Sequence, residues 1–503
     1  MAWDRVPLFL YLCVASGLSM LPIALLATTD GDFEIARPFF YGGVLVVAVS
    51  VMIALTLVNQ APKMVSRQHL LALLGAFTLL PVILAVPMWE ALPNLRPMDA
   101  YLEMVSAIST TGLTVQPDPE LWPRAIHLWR AHVAWMGGLL IWITTLAILA
   151  PLRIGGYEMI LPPRQDGKRD DRLTFGRTIS LQLRLWRIAL DFVWIYAGLT
   201  FALWLGLMVV GETPFIALCH AMSTIATSGI SPVGGLQMGE AGTWGEVLVF
   251  GFFIFAITRA SLSPSFFTSW GKFSHDPELR VAVAVIVMVT AVLFIRHWYA
   301  LVETAELIGL ELIPRAVWGA VFTSASFLTT TGFVSENWEI ARVWSGLSTP
   351  GMVLLGLALV GGGTATTAGG VKLLRIYVLY KHGQREVSRL VHPSAVGGIG
   401  SKNRPVRQEA AFMAWLFFML FALSIALTMM ALGFAGVDFE PATVLTLAAI
   451  SNTGPLVEVA AAEPMDIVGL SDPVKLILCC AMTLGRLETL AIIALLNPDF
   501  WRA

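Results

Sequence analysis

Hydrophobic residues in this chain come in long unbroken runs, and the polar residues are gathered between them. Val6 to Thr28, Phe39 to Val58, Leu70 to Trp89 and Leu128 to Leu149 open the series. Each is close to the roughly 20 residues that carry a helix across about 30 Å of hydrocarbon. The pattern predicts an all-α integral membrane protein. The first run is long for the apolar core of a secretory signal and lacks a small-residue cleavage site, so it reads as a retained helix.

The polar punctuation repeats. "SAISTTGLTV" places Thr110, Thr111 and Gly112 behind a short apolar segment. The same arrangement returns as "IATSGISP" (Thr227, Ser228, Gly229), "LTTTGFVS" (Thr330, Thr331, Gly332) and "ISNTGPLV" (Asn452, Thr453, Gly454), at intervals of 117, 103 and 122 residues. Before each copy comes a full-length apolar run (Leu70 to Trp89, Ile188 to Val210, Val281 to Val302, Ala411 to Leu432) and then a proline: Pro97, Pro214, Pro314 or Pro441. Proline suits the first turn of a helix, where its missing N–H costs nothing. The 13 to 18 residues from proline to glycine hold only about three helical turns, half a bilayer. After each copy a second apolar run returns the chain: Leu128 to Leu149, Trp244 to Leu262, Trp344 to Leu374 and Val474 to Leu496.

The unit is therefore helix, pore helix, hydroxyl-glycine loop, helix. Four such repeats are expected in a pseudo-fourfold arrangement around a central pore, preceded by two extra transmembrane helices. The corresponding division is 1–66 for the extra helices and 67–160, 161–275, 276–400 and 401–503 for the repeats, with ten crossings in all.

Irregular backbone survives at membrane depth only if buried in protein or lining a watery cavity. Four equivalent loops imply one shared cavity. Glycine tolerates φ > 0, so successive carbonyls can turn toward the axis, and neighbouring hydroxyls add oxygens or tie the loop to its helix. Rings of carbonyls in place of a hydration shell make a cation selectivity filter, and the C-terminal ends of the half-helices add negative potential. The twelve residues named above are the candidate filter. A single such loop would more simply be a packing spot or a kink. Four in matched contexts are not.

Composition agrees: 57% of residues are hydrophobic and 13% charged, against about 25% charged in soluble domains. Basic residues cluster in two connections. Arg153, Arg164, Lys168, Arg169, Arg172, Arg177, Arg184 and Arg187 lie in one, and Lys372, Arg375, Lys381, Arg385, Arg389, Lys402, Arg404 and Arg407 in the other. Together they hold half of the 32 Lys and Arg, so both connections are expected in the cytoplasm, as are both termini. Asp30, Asp32, Glu34, Glu212, Glu240, Glu246, Glu336, Glu339, Glu458, Glu463 and Asp466 fall on the opposite side. They read either as an outer face that concentrates cations or as ordinary solvated loops. The four cysteines sit in apolar segments with no disulfide or zinc spacing. No phosphate-binding loop, dinucleotide fingerprint or HExxH appears. An enzyme, a nucleic-acid binder and a bound nucleotide on this chain are not expected.

These residues resemble the Trk/Ktr/HKT potassium-uptake superfamily, over nearly the whole length. "LWRAHVAWMGGLLI" is similar to the return helix of that family's first repeat, and "FFTSWGKFSHDPELR" to the turn before the third. "GGGTATTAGGVKLLR" resembles the interruption of the third repeat's return helix, and "LGRLETLAIIALL" the last helix with its embedded arginine. The two extra helices fit the Trk branch. The resemblance implies a pore-forming potassium-uptake subunit in a bacterial inner membrane. It also implies a homodimer in the lipid bilayer, attached to a separate cytosolic nucleotide-binding regulatory subunit (TrkA-like), with K+ as the transported ion.

The run Gly361, Gly362, Gly363, Thr364, Ala365, Thr366, Thr367, Ala368, Gly369, Gly370 should unwind in mid-membrane, with the threonines satisfying freed backbone groups. The resemblance implies an intramembrane gate below the filter; a packing hinge is the other reading. The family commonly has Gly-Ser where this chain has Ala365-Thr366, which bears on how easily the loop opens. The family's arginine at Arg486 protrudes toward the pore and raises a barrier to cations. The alternative is a buried ion pair, with Glu488 or another acid. Lys372 is expected to snorkel to the cytoplasmic interface, with a gating salt bridge as the weaker reading. Ser228 stands where a Gly-Gly pair is usual. Glycine rather than serine at Gly112 implies potassium preference, and one glycine per loop implies moderate discrimination, with rubidium accepted and sodium leaking.

His127, His132 and His220 are expected to make local hydrogen bonds, and Trp122, Trp129, Trp244, Trp298, Trp338 and Trp344 to anchor span ends at the interface. The reading is potassium entering down its electrochemical gradient. Proton- or sodium-coupled symport on the same fold, a poorly selective Na+/K+ pathway and a non-conducting membrane scaffold are the alternatives.

Overall fold

A computed structural model describes residues 6–57, 65–116, 118–145, 181–258, 276–304, 312–345, 347, 349–391, 408–461 and 465–487. Among them all regular secondary structure is helical. Helices α1 (Leu8–Asp30) and α2 (Phe33–Leu57) come first and cross at Gly17 and Gly43. A Cβ on Gly43 would press on the Gly17 carbonyl, the small-residue contact that lets membrane helices approach closely.

Four repeats follow. In the first, α3 (Val65–Thr78) and α4 (Leu80–Ala91) lead into pore helix α5 (Pro97–Ile108), and α6 (Arg124–Thr144) returns. In the second, α7 (Leu181–Val210) leads into α8 (Pro214–Ala226), with α9 (Gly242–Phe252) and α10 (Ile254–Ile257) returning. The third contains α11 (Pro277–Thr304), pore helix α12 (Ile313–Leu328), α13 (Trp338–Ser345), α14 (Gly351–Val360) and α15 (Leu373–Val391). The fourth contains α16 (Gln408–Phe434), pore helix α17 (Phe439–Ser451), α18 (Leu456–Ala460) and α19 (Asp472–Leu487). This is an all-α integral membrane fold of four helix–pore-helix–helix repeats around a central pore, preceded by two extra helices.

The prolines act as their positions suggest. Pro97 and Pro214 are the first residues of their pore helices, Pro314 the second and Pro441 the third. The four pore helices run 12, 13, 16 and 13 residues, too short to cross a bilayer.

The expected spans change in detail. Leu70 to Trp89 is broken at Leu79, just before Pro81. Pro81 has no N–H to give to the Phe77 carbonyl; that oxygen accepts from the Thr483 hydroxyl (3.4 Å), and the Thr78 carbonyl accepts from the Tyr101 hydroxyl (3.1 Å). Six described segments are long and apolar enough to cross a membrane by themselves: α1, α2, the α3–α4 pair, α7, α11 and α16. The return helices are broken, more polar or extend to the limit of the described residues.

Buried charge appears where sequence predicted apolar packing. Lys475 on α19 is fully buried and donates from Nζ to Asp99 Oδ1 on α5 (2.6 Å) and to the Val468 carbonyl (2.8 Å). Half-exposed Arg96 meets the other Asp99 oxygen at 2.9 Å. The last helix is thereby fastened to the first pore helix. Trp129 and Trp338, expected at the interface, are core residues at 0% and 5% exposure, whereas Trp244 is 73% exposed. Trp129 donates to the Leu84 carbonyl across the helix pair. The side chains of Trp298 and Trp344 lie outside the described residues, as do residues 146–180 and 392–407 of the two basic connections.

Removing one partner of a buried ion pair costs about 3–5 kcal/mol, because the other charge stays buried. Lys475→Met is expected toward the low end, since Arg96 remains beside Asp99. The double variant Asp99→Leu/Lys475→Met should recover most of the loss. Thermal unfolding in detergent measures both; an unmoved midpoint in the single variant would show that the pair does not hold the fold.

Candidate functional site

Each pore helix ends in the same way. Thr110, Thr227, Thr330 and Asn452 have φ of 54°, 55°, 57° and 54°, the left-handed conformation. Their N–H groups bond back to Ala107, Thr224, Phe327 and Ala449. The next N–H groups, of Thr111, Ser228, Thr331 and Thr453, reach Ser106, Ser223, Ser326 and Ala448 at 2.8–3.0 Å. This pair of bonds is the Schellman closure of a helix C-terminus, normally built on glycine. A β-branched residue there is strained and persists only where its surroundings over-determine it. The same left-handed turn at four helix ends, three of them on a strained threonine, shows that the loops are structural equivalents.

The loops close on one another in order. A Cβ on Gly112 would run into the Ser228 carbonyl of the second loop, and one on Gly229 into the Thr331 carbonyl of the third. One on Gly332 would meet Pro455 of the fourth, and one on Gly454 would meet Gly112 and Leu113 of the first. The structure thus brings all twelve candidate filter residues together in one ring; ten are buried, and Gly112 and Gly229 are partly exposed. Positive φ holds at Gly112 (75°), Gly229 (68°) and Gly332 (84°) but not at Gly454. There the chain turns at Pro455 straight into α18, and the glycine is needed for close approach instead. Its N–H donates to the Thr111 carbonyl at 2.5 Å, so the fourth loop is a brace as well as an equivalent.

Hydroxyls in three of the loops are engaged by neighbouring hydroxyls. Thr111 Oγ1 pairs with Ser109 Oγ (2.7 Å) and Thr331 Oγ1 with Thr329 Oγ1 (3.0 Å). Ser228 Oγ pairs with Ser223 Oγ (3.1 Å), which accommodates the departure from Gly-Gly. Asn452 Nδ2 donates to Thr111 Oγ1 (2.9 Å) and to the Met482 carbonyl (3.0 Å), joining the fourth loop to the first and to α19. These side-chain bonds stiffen the ring.

Beyond the glycines the ring opens into a vestibule lined among others by Gly112, Gly229, Gly332, Pro455, Gln116, Gln237, Arg130 and Glu458. Carboxylates hold its walls. Glu103 accepts from Val115 N (2.6 Å) and the Thr114 hydroxyl (2.7 Å), and pairs with Arg130 at 2.8 Å. Glu246 accepts from Glu336 N, the Ser335 hydroxyl and the Trp318 indole at 2.6, 2.8 and 2.7 Å. Glu212 accepts weakly from the N–H groups of Glu240 and Ala241. Glu212 and Glu246, read from the sequence as part of a solvated acidic face, are 3% and 1% exposed. They are loop braces, because backbone N–H groups buried in these loops need acceptors. His127 and His220 bond the Pro119 carbonyl and the Ser231 hydroxyl, each at 2.8 Å, and His132 stacks on Trp135.

On the other side of the ring lies the loop between α14 and α15. Its neck is closed by bonds from Val371 N to Leu359 O, Lys372 N to Val360 O and Leu373 N to Gly362 O, at 2.9–3.0 Å. Its tip packs against the pore-helix ends: Gly369 N donates to the Thr330 hydroxyl (2.7 Å), Thr367 Oγ1 to the Ile225 carbonyl (3.3 Å), and a Cβ on Gly369 would strike the Ser451 carbonyl. The threonines do satisfy freed backbone, Thr366 Oγ1 reaching the Ala256 and Gly363 carbonyls. Thr364 N donates to Glu278 Oε1 at 2.8 Å, a tie to α11 that the sequence reading missed; an acid in the first turn of a helix after Asp-Pro was its only signal. Ala365 has φ 65°, in the left-handed region that favours glycine.

Two cations adjoin this loop. Arg486 donates from Nη1 to the Thr367 carbonyl at 2.5 Å, and Glu488 lies outside the described residues. Lys372 does not snorkel. It is 8% exposed, has φ 85°, and folds its ammonium back onto the Ala368 carbonyl. The left-handed backbone at Lys372 turns the side chain inward, along a cavity that it shares with Arg486 and Gly369.

The profile of one protein family, described as TrkH, cation transport protein, matches residues 38–234 and 249–500. A Trk system potassium uptake protein TrkH from Salmonella typhimurium is 30% identical over 496 residues, 97% of this chain and 96% of that protein. The TrkH of Halomonas elongata is 32% identical over 444 residues, covering 86% and 84%. The crystal structure of the potassium transporter TrkH from Vibrio parahaemolyticus superposes with a TM-score of 0.82 at 28% identity, covering 99% of both chains.

Gly361 and Gly356 make a paired test of the loop's neck. A Cβ on Gly361 (φ 72°) would run into Gly369 and Gly370, whereas one on Gly356, within α14, meets nothing within 4 Å. Gly361→Ala is expected to destabilise the protein by more than about 2 kcal/mol, while Gly356→Ala is neutral or stabilising by up to about 1 kcal/mol. Unfolding midpoints compare the two, and equal shifts would sink the assignment of a strained, tightly closed neck.

Proposed function

The chain belongs to the TrkH family of cation transport proteins, and from that premise we propose that it takes up potassium through the ring of four loops, with the loop between α14 and α15 as its gate. The family makes it a multi-pass membrane ion transporter and not an enzyme. The observation that carries the proposal is the closed cyclic contact of the four loops, with four helix C-termini converging on it. Carbonyl oxygens there replace the ion's hydration shell, and each helix end adds about half a negative charge. Hydroxyls in three of the four loops are already engaged by neighbouring hydroxyls, which supports backbone carbonyls as the ligands of K+.

Beneath the ring the loop abuts three of the four pore-helix ends, which supports a closed gate. Arg486 acts there in two ways: its charge opposes a passing cation, and its bond to Thr367 holds the loop across the axis. Lys372, clasping Ala368, adds a second positive charge. The buried carboxylates Asp99, Glu103, Glu212, Glu246 and Glu278 each accept from a named partner away from the axis. They form no proton relay along the path, which favours passive uptake over symport. The membrane potential supplies about 2.3 kcal/mol per charge per 100 mV.

In this reading the repeats occupy 67–160, 161–275, 276–400 and 401–503, and both termini lie in the cytoplasm. The protein works in a bacterial inner membrane as a homodimer, with a cytosolic nucleotide-binding TrkA-like subunit as its regulator. The relatives named as parts of a Trk system support a multi-component assembly.

Flux into liposomes for K+, Rb+, Na+ and Li+, with and without a pH gradient, tests the reading. K+ and Rb+ should pass fastest and independently of the gradient; proton-dependent flux would establish symport instead. Gly112→Ser must displace the Ser228 carbonyl, so relative Na+ flux should rise several-fold, and unchanged selectivity would remove these loops from the filter. Arg486→Ala should speed conduction. A stable variant that conducts more slowly would refute both of the arginine's roles.

A further inference from the structure

The vestibule outside the ring carries two charged side chains among its described lining residues, Arg130 and Glu458. Arg130 is neutralised in place. Its guanidinium is 5% exposed, bonds Glu103 at 2.8 Å and lies over the Trp122 ring at 4.7 Å. Glu103 is itself held by the Thr114 hydroxyl and Val115 N, so the pair is fixed with no net charge. Glu458 differs. It sits on α18, one helical turn beyond Gly454, and is open to water although protein surrounds it. The other polar lining groups, among them Gln116 and Gln237, are neutral.

Field lines in a cleft with low-dielectric walls are focused rather than dispersed, so one uncompensated charge there changes the local ion concentration strongly. The sequence pattern allotted cation recruitment to many outer acids. The structure takes Glu212 and Glu246 out of that role by burying them, and among the described lining residues of the vestibule the one carboxylate is Glu458. Loop four is also where the ring departs from fourfold equivalence, since Pro455 starts a helix at once. That helix is what carries an acid to the mouth.

We propose that Glu458 is the fixed negative charge that gathers cations at the outer mouth, and that it sets the apparent affinity for external potassium without taking part in discrimination between ions. The inference rests on the proposed potassium pathway and adds to it a recruiting residue outside the filter. Glu458 follows the twelve filter residues, four positions beyond Gly454 on α18, so its effect belongs to KM and not to selectivity.

The enclosing protein pushes the Glu458 carboxyl above its ordinary range, with Arg130 pulling the other way. Burial of this kind makes the carboxyl take up its proton at a higher pH than an exposed glutamate would, so it loses its charge as external pH falls. Arg130 on α6, with Glu103 on α5 behind it, supplies the charged groups facing it; the remaining described lining is neutral.

Rubidium uptake into liposomes holding the full chain, measured against external Rb+, tests this with Glu458→Gln and Glu458→Asp. In Glu458→Gln the KM should rise roughly three- to tenfold, at the lower end of cleft-focusing effects. Its saturating rate and its Rb+/Na+ ratio should stay at the wild-type values. Glu458→Asp should keep a KM close to wild type. Added N-methylglucamine chloride should shrink the gap by screening. Acidifying the outside should raise the wild-type KM toward that of Glu458→Gln, an arm that needs no variant to fold. Wild-type flux with a KM indifferent to Glu458→Gln and to acid would overturn this proposal alone. A changed Rb+/Na+ ratio in Glu458→Gln would place the residue in the filter and overturn it as well. No wild-type flux would overturn the potassium pathway and this proposal with it.

Discussion

A backbone carbonyl or N–H at membrane depth has no water to fall back on, and an unsatisfied one costs several kcal/mol. The irregular parts of this protein follow from that constraint. The pore helices stop half-way through the membrane, and each closes its last turn with the same pair of backbone bonds. The kink at Pro81 leaves the Phe77 carbonyl to a hydroxyl from the far end of the chain. The loop between α14 and α15 binds its own neck and rests its threonines on neighbouring carbonyls. Short polar side chains gather where the helices break because they are what satisfies the break.

Close approach is the second consequence. Four loops can share one axis only if nothing projects between them, and at each contact the missing atom is a glycine Cβ. Three of these glycines also have a left-handed backbone, whereas Gly454 is present for proximity alone. Its N–H on the Thr111 carbonyl and the Asn452 amide on Thr111 Oγ1 pin the first loop to the last, where chain connectivity cannot. A ring assembled from one polypeptide has one seam without a covalent link, and this one is closed by hydrogen bonds.

Charge is used sparingly and mostly out of the ion's way. Asp99 with Lys475 joins the first pore helix to the last helix, Glu103 with Arg130 holds the first loop, and Glu246 and Glu278 hold backbone of the third repeat. Buried ion pairs contribute little net stability against apolar substitutes but penalise any arrangement that separates them. Here they fix the register of pieces whose relative placement decides whether the carbonyls meet. With those charges occupied, the proposed pathway leaves a passing cation to respond chiefly to Arg486 and Lys372 on one side of the ring and to Glu458 on the other.

Sequence alone determined the number of loops, their spacing, the short helices behind them and the interruption in the third repeat, because all of these are local. Hydrophobic run length, a proline in a first turn and a glycine in a tight loop act through neighbours along the chain. What it misjudged was decided by contacts across it. The side chains of Glu212 and Glu246 look solvated until the loops that they brace are folded over them. Lys372 looks free to snorkel until its left-handed backbone turns it inward. Trp129 looks like an interfacial anchor until the extra helices cover it. The left-handed threonines are the clearest case, for no local preference places a β-branched residue there. Only the packing of four helix ends around a common axis makes that conformation the lowest in energy, and such packing exists only once the whole chain has folded.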